Sequence, residues 1–593
     1  NSGRCSSELG VLNRASIAVS ILFFSSVRPR CLRFPRLLLS NTILESQSKV
    51  AGWIRRSLAN FPAAGGVIGS VDNQSSRANA PNVTPTGSSK VRLYLIWFAH
   101  EHIEFRHAEL QSLIELFGAK LEFVGRRLEG RRLWLVNDAC SNEATQNTVE
   151  RPWMVVKCED EQHLVNICSK SILIRHVSEL MAEGDSLQDV VDQLREKQIE
   201  PHNDTFKFEV EAFGKRKIPR CDKIAKMELF DFLPFTGDID LQQPIWTYHI
   251  IEYYGQENNC VPNQPFKVFF GRQVAEGQRE LVTRLSLKNR EFIANTSMDP
   301  TLSVVMSNLA QTRYADFVYD PFVGSASLLV AAAIHDAYVL GMDIDFMLLH
   351  GRAKPTRYNE QRRKEGESVR ANLRQYGRAG RYVDVIVGDS SRPVLRTLPL
   401  LDAILTDPPY GIRESTERIG TKVPGYTVPG HLASQHIPSK ISYSLPDVIS
   451  DLMRFAASSL NLGRRLVFWM PVYRQDFLRV LQEEQQQQLK NESIEPIRND
   501  RGDMVSRELP SAALPFHSCL RFVSASEQRL TSHSSRILLT YEKIKEPKDG
   551  ELEESSGTAI HNINFRDRYF ARRDADQDIE VSIAAPQDLR NRE

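Results

Sequence analysis

Asp407-Pro408-Pro409-Tyr410-Gly411 is the segment whose residue types speak most directly of chemistry. Successive prolines lock the backbone and remove two amide donors, which leaves carbonyl oxygens free to accept. Asp407 adds a carboxylate acceptor and Tyr410 a flat aromatic face. Acceptors beside a stacking ring suit the exocyclic amine of a nucleobase. Stacking contributes about 1–3 kcal/mol per base, while acceptors turn the amine lone pair toward an electrophile and moderate the positive charge that develops on nitrogen. The architectural alternative is a rigid proline turn that closes a strand.

Three more acids occupy comparable settings. Asp320-Pro321-Phe322-Val323-Gly324-Ser325-Ala326-Ser327 follows an apolar run, and Gly324 with its small neighbours permits a tight turn close to a ligand. Asp343 ends a second run, where a carboxylate can accept from both hydroxyls of a ribose. Gly388-Asp389 ends a third, where an acid can hold an adenine amino group. Asp320 and Asp343 are 23 residues apart, close to the roughly 20 between a nucleotide-binding turn and its ribose acid. Asp345 competes for the ribose role, and Asp343 is favoured because it lies nearer the strand. Taken singly, each acid is equally a turn former or a helix cap.

Such residues need a scaffold that brings strand ends together. From 266 onward strands alternate with helices, the pattern of a doubly wound parallel sheet covered on both faces. The texture predicts strands at 317–319, 339–342, 383–387, 401–405, 465–469 and 536–541, and a helix at 328–338. Leu445, Val448, Ile449, Leu452, Phe455 and Ala456 mark another helix, with Pro446 in its first turn. All four acids then lie just beyond strand ends, where ligands sit in this class of sheet. A glutamine tract at 485–488 interrupts the pattern within 481–510, which reads as a mobile insertion loop.

Upstream, 91–265 reads as a smaller α+β region. Strands are expected at 91–98, 120–124, 153–157, 206–212 and 247–254, a helix through Leu110, Leu113, Ile114 and Phe117, and a mixed helical stretch at 161–181. Residues 1–90 are rich in Arg and Ser and poor in acid, a disordered leader and linker whose first part reads as a transit peptide or as upstream translation. Residues 546–593 form a polar tail.

With 593 residues, 41% hydrophobic and 25% charged, the chain is a globular protein of several domains, not a fibrous, collagenous or wholly disordered one. No stretch approaches the ~18 apolar residues of a membrane span, so no membrane association and a cytoplasmic location are expected. Lys+Arg 75 against Asp+Glu 74 leaves no whole-chain field, so nucleic-acid affinity needs a local patch. Arg126, Arg127, Arg131 and Arg132, with Lys215, Arg216, Lys217 and Arg220, are candidates for a phosphate-binding surface, ordinary solvated charge being the alternative. The eight cysteines are scattered without CxxC spacing, which suggests a reducing compartment and no metal held by this chain.

Residues 266–545 resemble the class I S-adenosylmethionine-dependent amino-methyltransferases, in particular the catalytic subunits that methylate guanine N2 at position 10 of tRNA. The resemblance is carried by Phe270-Gly271-Arg272-Gln273-Val274-Ala275, Asn295-Thr296-Ser297-Met298-Asp299-Pro300, the Asp320 turn, Arg370-Ala371-Asn372-Leu373-Arg374-Gln375-Tyr376-Gly377, Asp407 to Gly411, Leu466 to Tyr473, Glu527-Gln528-Arg529-Leu530 and Ser532-His533-Ser534-Ser535-Arg536. The region containing Lys226-Met227-Glu228 is similar to that family's ferredoxin-like and THUMP region.

The resemblance implies a Rossmann-like class I methyltransferase sheet preceded by a tRNA-binding α+β region, with S-adenosyl-L-methionine as cofactor. Thr296, Ser297, Asp320, Pro321, Phe322 and Gly324 would line its methionine and ribose parts, Asp343 its ribose and Asp389 its adenine. Asp407, Pro408, Pro409 and Tyr410 would meet the guanine. A small zinc-binding activator protein, adding a strand to the catalytic sheet, is also implied. One departure is Ala326, where the family pattern usually has a second glycine: a negative φ tolerates it, a positive φ weakens the site. The rival readings are an adenine or rRNA amino-methyltransferase and a non-catalytic RNA-binding protein on the same scaffold.

Overall fold

Two sheets, one after the other along the chain, carry the architecture. The computed structural model describes residues 91–124, 133–134, 151–214, 217–255, 261–357, 360–396, 398–412, 414–421, 438–480 and 514–548. The expected leader, the glutamine-tract loop, almost all of the tail, and Arg126, Arg127, Arg131, Arg132, Lys215 and Arg216 lie outside the described residues.

The first sheet has seven strands. One half is a βαββαβ unit: Arg92–Phe98, helix Arg106–Phe117, Glu122–Phe123, Trp153–Cys158, helix Glu161–Cys168 and Ile174–Gly184. Its strands pair antiparallel in the ferredoxin-like arrangement, with Arg92–Phe98 between Trp153–Cys158 and Ile174–Gly184. The other half contains Phe206–Phe213, Trp246–Tyr253 and Lys267–Glu276, the first two parallel. Lys267–Glu276 joins the halves by pairing with both Ile174–Gly184 and Trp246–Tyr253. The expected boundary at 265/266 is therefore displaced, because 267–276 completes the first sheet. The helical reading of 161–181 is corrected too: Asp160 caps a helix that ends at Cys168. The following strand, Ile174–Gly184, mixes polar and apolar residues on both faces, so no clean two-residue period marks it.

The second sheet is built from β1 (Phe317–Asp320), β2 (Tyr338–Asp343), β3 (Tyr382–Val387), β4 (Leu401–Thr406), β5 (Leu460–Tyr473), β6 (Leu520–Arg529) and β7 (Ser534–Lys543). Their order is β3-β2-β1-β4-β5-β7-β6, with Leu133–Trp134 beyond β6. The first five are parallel and β7 runs against both its neighbours. Alternate residues feed opposite cores. Val318, Ala403, Leu405 and Val467 face helices Pro300–Leu309 and Ser327–Ile334, whereas Tyr319, Ile404, Leu466 and Phe468 face Leu445–Ser459. That last helix starts with Ser444 as its cap and Pro446 in its first turn.

A buried polar joint locks the modules together. Glu109 accepts from Ser171 Oγ (2.6 Å) and Asn308 Nδ2 (2.8 Å), and the Ile172 and Leu173 amides lie at 3.2 Å. Arg465 of β5 donates to Ser112 Oγ at 2.9 Å and Glu115 at 2.5 Å. The position of the first module relative to the second sheet is thus fixed by hydrogen bonds as well as by packing.

Candidate active site

β1 and β4 are neighbours whose following loops part in opposite directions, so a crevice opens beyond their carboxyl ends. Asp320 closes β1 there. Its carboxylate accepts from Thr406 Oγ1 at 2.7 Å and from the Phe322 amide at 3.0 Å, which ties the two strand ends together. Burial pushes its pKa up to about 7 despite those bonds. Asp343, at the end of β2, accepts from the Gly324 amide (2.8 Å) and the Asp345 amide (2.9 Å), and burial raises it to about 6. Asp345 caps the short helix Phe346–Leu349 through the Leu348 amide, so the two competing acids have different local tasks.

The Asp320 turn crosses β2 where Gly341 has no side chain; a Cβ there would sit 2.8 Å from Val323 Cγ2. Gly324 has φ 49° and Ala326 φ 65°. The departure from glycine at 326 thus falls on left-handed backbone, which costs an alanine roughly 1–2 kcal/mol. Burial of its methyl group offsets about 0.8 kcal/mol of that.

Thr296 and Ser297 are brought to this turn. Ser297 Oγ lies 2.6 Å from Ser325 Oγ, and Thr296 Oγ1 donates to Glu414 at 2.5 Å. Asp389 is buried beyond β3, but its carboxylate is engaged by the Ser391 amide (2.9 Å) and the Ile419 amide (2.7 Å). Each oxygen keeps a second lone pair for a ligand. Between these ends a cleft is lined by Pro321, Phe322, Met342, Ser390, Leu452 and Phe455.

Asp407 stands just past β4. Tyr410 donates its hydroxyl to Oδ1, and Arg536 Nη1 lies 3.4 Å from Oδ2. Burial raises the Asp407 pKa, with the Arg536 charge and the Tyr410 hydrogen bond opposing it. Tyr410 packs between the cores on the two sheet faces, so its ring is a fixed plate. Sequence reasoning assigned no role to Arg536 or Glu414. Arg536 lay inside a stretch that carried the resemblance, but its partner is 129 residues away; Glu414 gave no signal.

Both parts of the chain match described families. Residues 138–279 match the Tmrp11 THUMP N-terminal domain, and residues 288–424 match the RMKL-like methyltransferase domain. Sheet order and these matches define a THUMP-bearing, Rossmann-like methyltransferase. Among curated proteins, the chain is 36% identical to human tRNA (guanine(10)-N(2))-methyltransferase TRMT11, over 82% of this chain and 96% of that one. It is 37% identical to the Gallus gallus protein of that name, over 81% and 95%, and 30% identical to the Dictyostelium discoideum one, over 77% and 83%. The chain belongs to the TRMT11 family of tRNA (guanine(10)-N(2))-methyltransferases. Among the described residues no helix is long and apolar enough to cross a membrane.

Proposed function

We propose that this chain transfers a methyl group from S-adenosyl-L-methionine to the exocyclic N2 of guanosine at position 10 of tRNA. The observation that carries the reading is a hydrogen-bond acceptor, Asp407, held by Arg536 beside a crevice whose other acids, Asp320 and Asp343, have no ion-pair partner among the described residues. Asp320 is buried and Asp343 part-buried; both are raised by desolvation and by neighbouring acids, and neither is ion-paired with a cation among the described residues. A ligand bearing sulfonium and ammonium charges fits such a place.

When bound, the cofactor supplies the electrophilic methyl group. Asp343 takes ribose hydroxyls with its remaining lone pairs, Asp389 faces the adenine, and Thr296, Ser297 and the turn from Asp320 to Gly324 border the rest. Asp407 accepts an N–H of guanine N2 and orients the nitrogen for in-line attack, which demands alignment more than a strong base. Arg536 favours the ionised carboxylate, so Asp407 accepts instead of donating. Pro408 and Pro409 offer acceptors without competing donors. Leaving the tRNA stack costs the base a few kcal/mol, which stacking on Tyr410 offsets.

In this reading 91–276 holds tRNA by shape and phosphate contacts, with exposed Lys217 and Arg220 contributing. The zinc-binding activator adds a strand alongside β3, whose outer side bears no strand among the described residues. Cys158, Cys168, Cys221 and Cys519 are free thiols, in keeping with work in the reducing cytoplasm.

The test uses the chain co-expressed with an activator, labelled cofactor and a tRNA transcript, with product mapping by nucleoside mass spectrometry. N2-methylguanosine at position 10 is expected, and Asp407→Ala should abolish it while cofactor binding persists. Methylated adenine, or an unchanged single-turnover rate in the variant, overturns the assignment.

A further inference from the structure

Positive charge is concentrated in one stretch of the methyltransferase domain. Between 352 and 374 there are eight Lys and Arg against three Glu, in a chain whose 75 basic residues are matched by 74 acidic ones. Two of those cations are spent on architecture. Arg363 donates from Nε to the Ala353 carbonyl at 2.9 Å and from Nη1 to that of Ile293 at 3.2 Å, pairs with Glu367 at 3.0 Å and covers the Phe292 ring. Arg357 donates to the Arg290 carbonyl, and its Nη1 lies 3.5 Å from that of Glu291. Together they fold the loop after β2 back onto the 290–293 segment.

Helix Val369–Gln375 joins the same assembly. Gln375 Oε1 accepts from the Glu291 amide at 3.0 Å while its Nε2 donates to the Asn289 carbonyl at 2.6 Å. Asn372 pairs both ways with the Phe292 backbone at 2.8 Å, and its Nδ2 lies 3.4 Å from the Ser325 carbonyl in the Asp320 turn. The three segments thus make one braced face that borders the crevice. Lys288, Lys354, Arg362 and Arg374 stand on it, all exposed, and none pairs with a carboxylate among the described residues. The nearby acids are largely taken: Glu367 is on Arg363 and Glu360 on Lys364, which leaves Glu291 and Glu365 against the four cations. An ordinary solvated surface interleaves its charges, whereas an excess of one sign beside a cleft attracts a polyanion. Because the backbone beneath is fixed, little ordering cost is added when one binds.

We propose that this face of the methyltransferase domain is a second phosphate-binding surface for tRNA, on which Lys288, Lys354, Arg362 and Arg374 hold the sugar-phosphate backbone near the extruded nucleotide. A folded RNA is wider than a crevice that takes one base, so the phosphates flanking that base come to rest on the rim. Contacts of this kind fix register and orientation without reading sequence. The catalytic domain therefore shares the grip assigned above to 91–276. This role rests on tRNA being the substrate, but not on which atom of the base receives the methyl group.

The experiment titrates the full-length chain, with its activator where solubility requires one, with a tRNA transcript over a range of salt concentrations. Wild type is compared with a triple variant carrying Lys354→Gln, Arg362→Gln and Arg374→Gln. The triple variant should bind tRNA about tenfold or more weakly at physiological salt, and the slope of log affinity against log salt should become shallower by about two to three. S-adenosyl-L-methionine, titrated separately, should bind both proteins alike. A charge-conserving triple, Lys354→Arg, Arg362→Lys and Arg374→Lys, should restore affinity and slope, which a purely structural defect would not allow. Equal tRNA affinity and slope in wild type and the neutralised triple overturn the proposal. So does a loss of tRNA binding that accompanies loss of the activator, since the face would then belong to that protein. A product other than N2-methylguanosine removes the methyl-transfer assignment and leaves this surface standing.

Discussion

Arg536 approaches Asp407 to 3.4 Å while its guanidinium lies 4.0 Å above the ring of Trp469. Trp469 in turn receives the edge of Phe105 from the first module, with ring centroids 5.7 Å apart. A continuous set of contacts thus runs from the module proposed to hold tRNA to the carboxylate proposed to hold its base. Gln528 Oε1 accepts from Arg536 Nε at 2.8 Å and keeps the fork aligned.

Replacing Arg536 by Met keeps much of the packing on Trp469 and removes the charge. Asp407, already raised by burial, then loses the charge that opposes the rise. More of it is protonated at neutral pH and no longer serves as a pure acceptor. Single-turnover methylation by Arg536→Met should fall about tenfold or more at neutral pH, where a shift of one unit corresponds to about 1.4 kcal/mol, and recover partly in alkali. A uniform loss at every pH would mean that Arg536 acts on the tRNA instead.

Burial raises Asp320 to about 7 and Asp343 to about 6. Both exceed the unfolded value of about 3.9, so the folded chain binds more protons in between. Their contribution to stability is greatest below the unfolded value and falls as pH rises from about 4 to about 7. A cationic ligand favours the ionised forms and reverses that loss. The thermal shift produced by saturating S-adenosyl-L-methionine should therefore grow between about pH 5 and about pH 8, and grow less with the uncharged thioether product. Asp343→Asn should flatten it; equal slopes for the two ligands would remove the electrostatic account.

The ends of β1 to β4 were legible because each acid interrupts an apolar run, and burial within a parallel sheet makes such runs nearly continuous. β6 was not legible, since Ser526 and Glu527 are buried as members of a polar network: Glu527 accepts from Arg474 at 2.7 Å and Ser535 at 2.6 Å. The boundary after Glu276 escaped for a related reason. Lys267–Glu276 follows Trp246–Tyr253 as a neighbouring strand, and only its pairing with Ile174–Gly184 shows to which sheet it belongs. Arg536 reaches Asp407 through the pairing of β7 with β5, so the relationship leaves no mark in local spacing.

Glu109 offers the sharpest test of how the modules are joined. Its carboxylate is buried and takes four donors, from the 171–173 segment and from helix Pro300–Leu309. Burial raises its pKa, and those four bonds oppose the rise. Glu109→Leu fills similar space yet strands every donor, so the loss should be about 3–5 kcal/mol, the range for breaking a buried network. Glu109→Gln keeps one oxygen acceptor and should lose less, about 1–2 kcal/mol. Denaturant unfolding followed through tryptophan fluorescence measures both. If the joint sets the reach from the first module to Asp407, Glu109→Gln should also slow methylation of whole tRNA more than it weakens cofactor binding. Proportionate loss of both would assign Glu109 to stability alone.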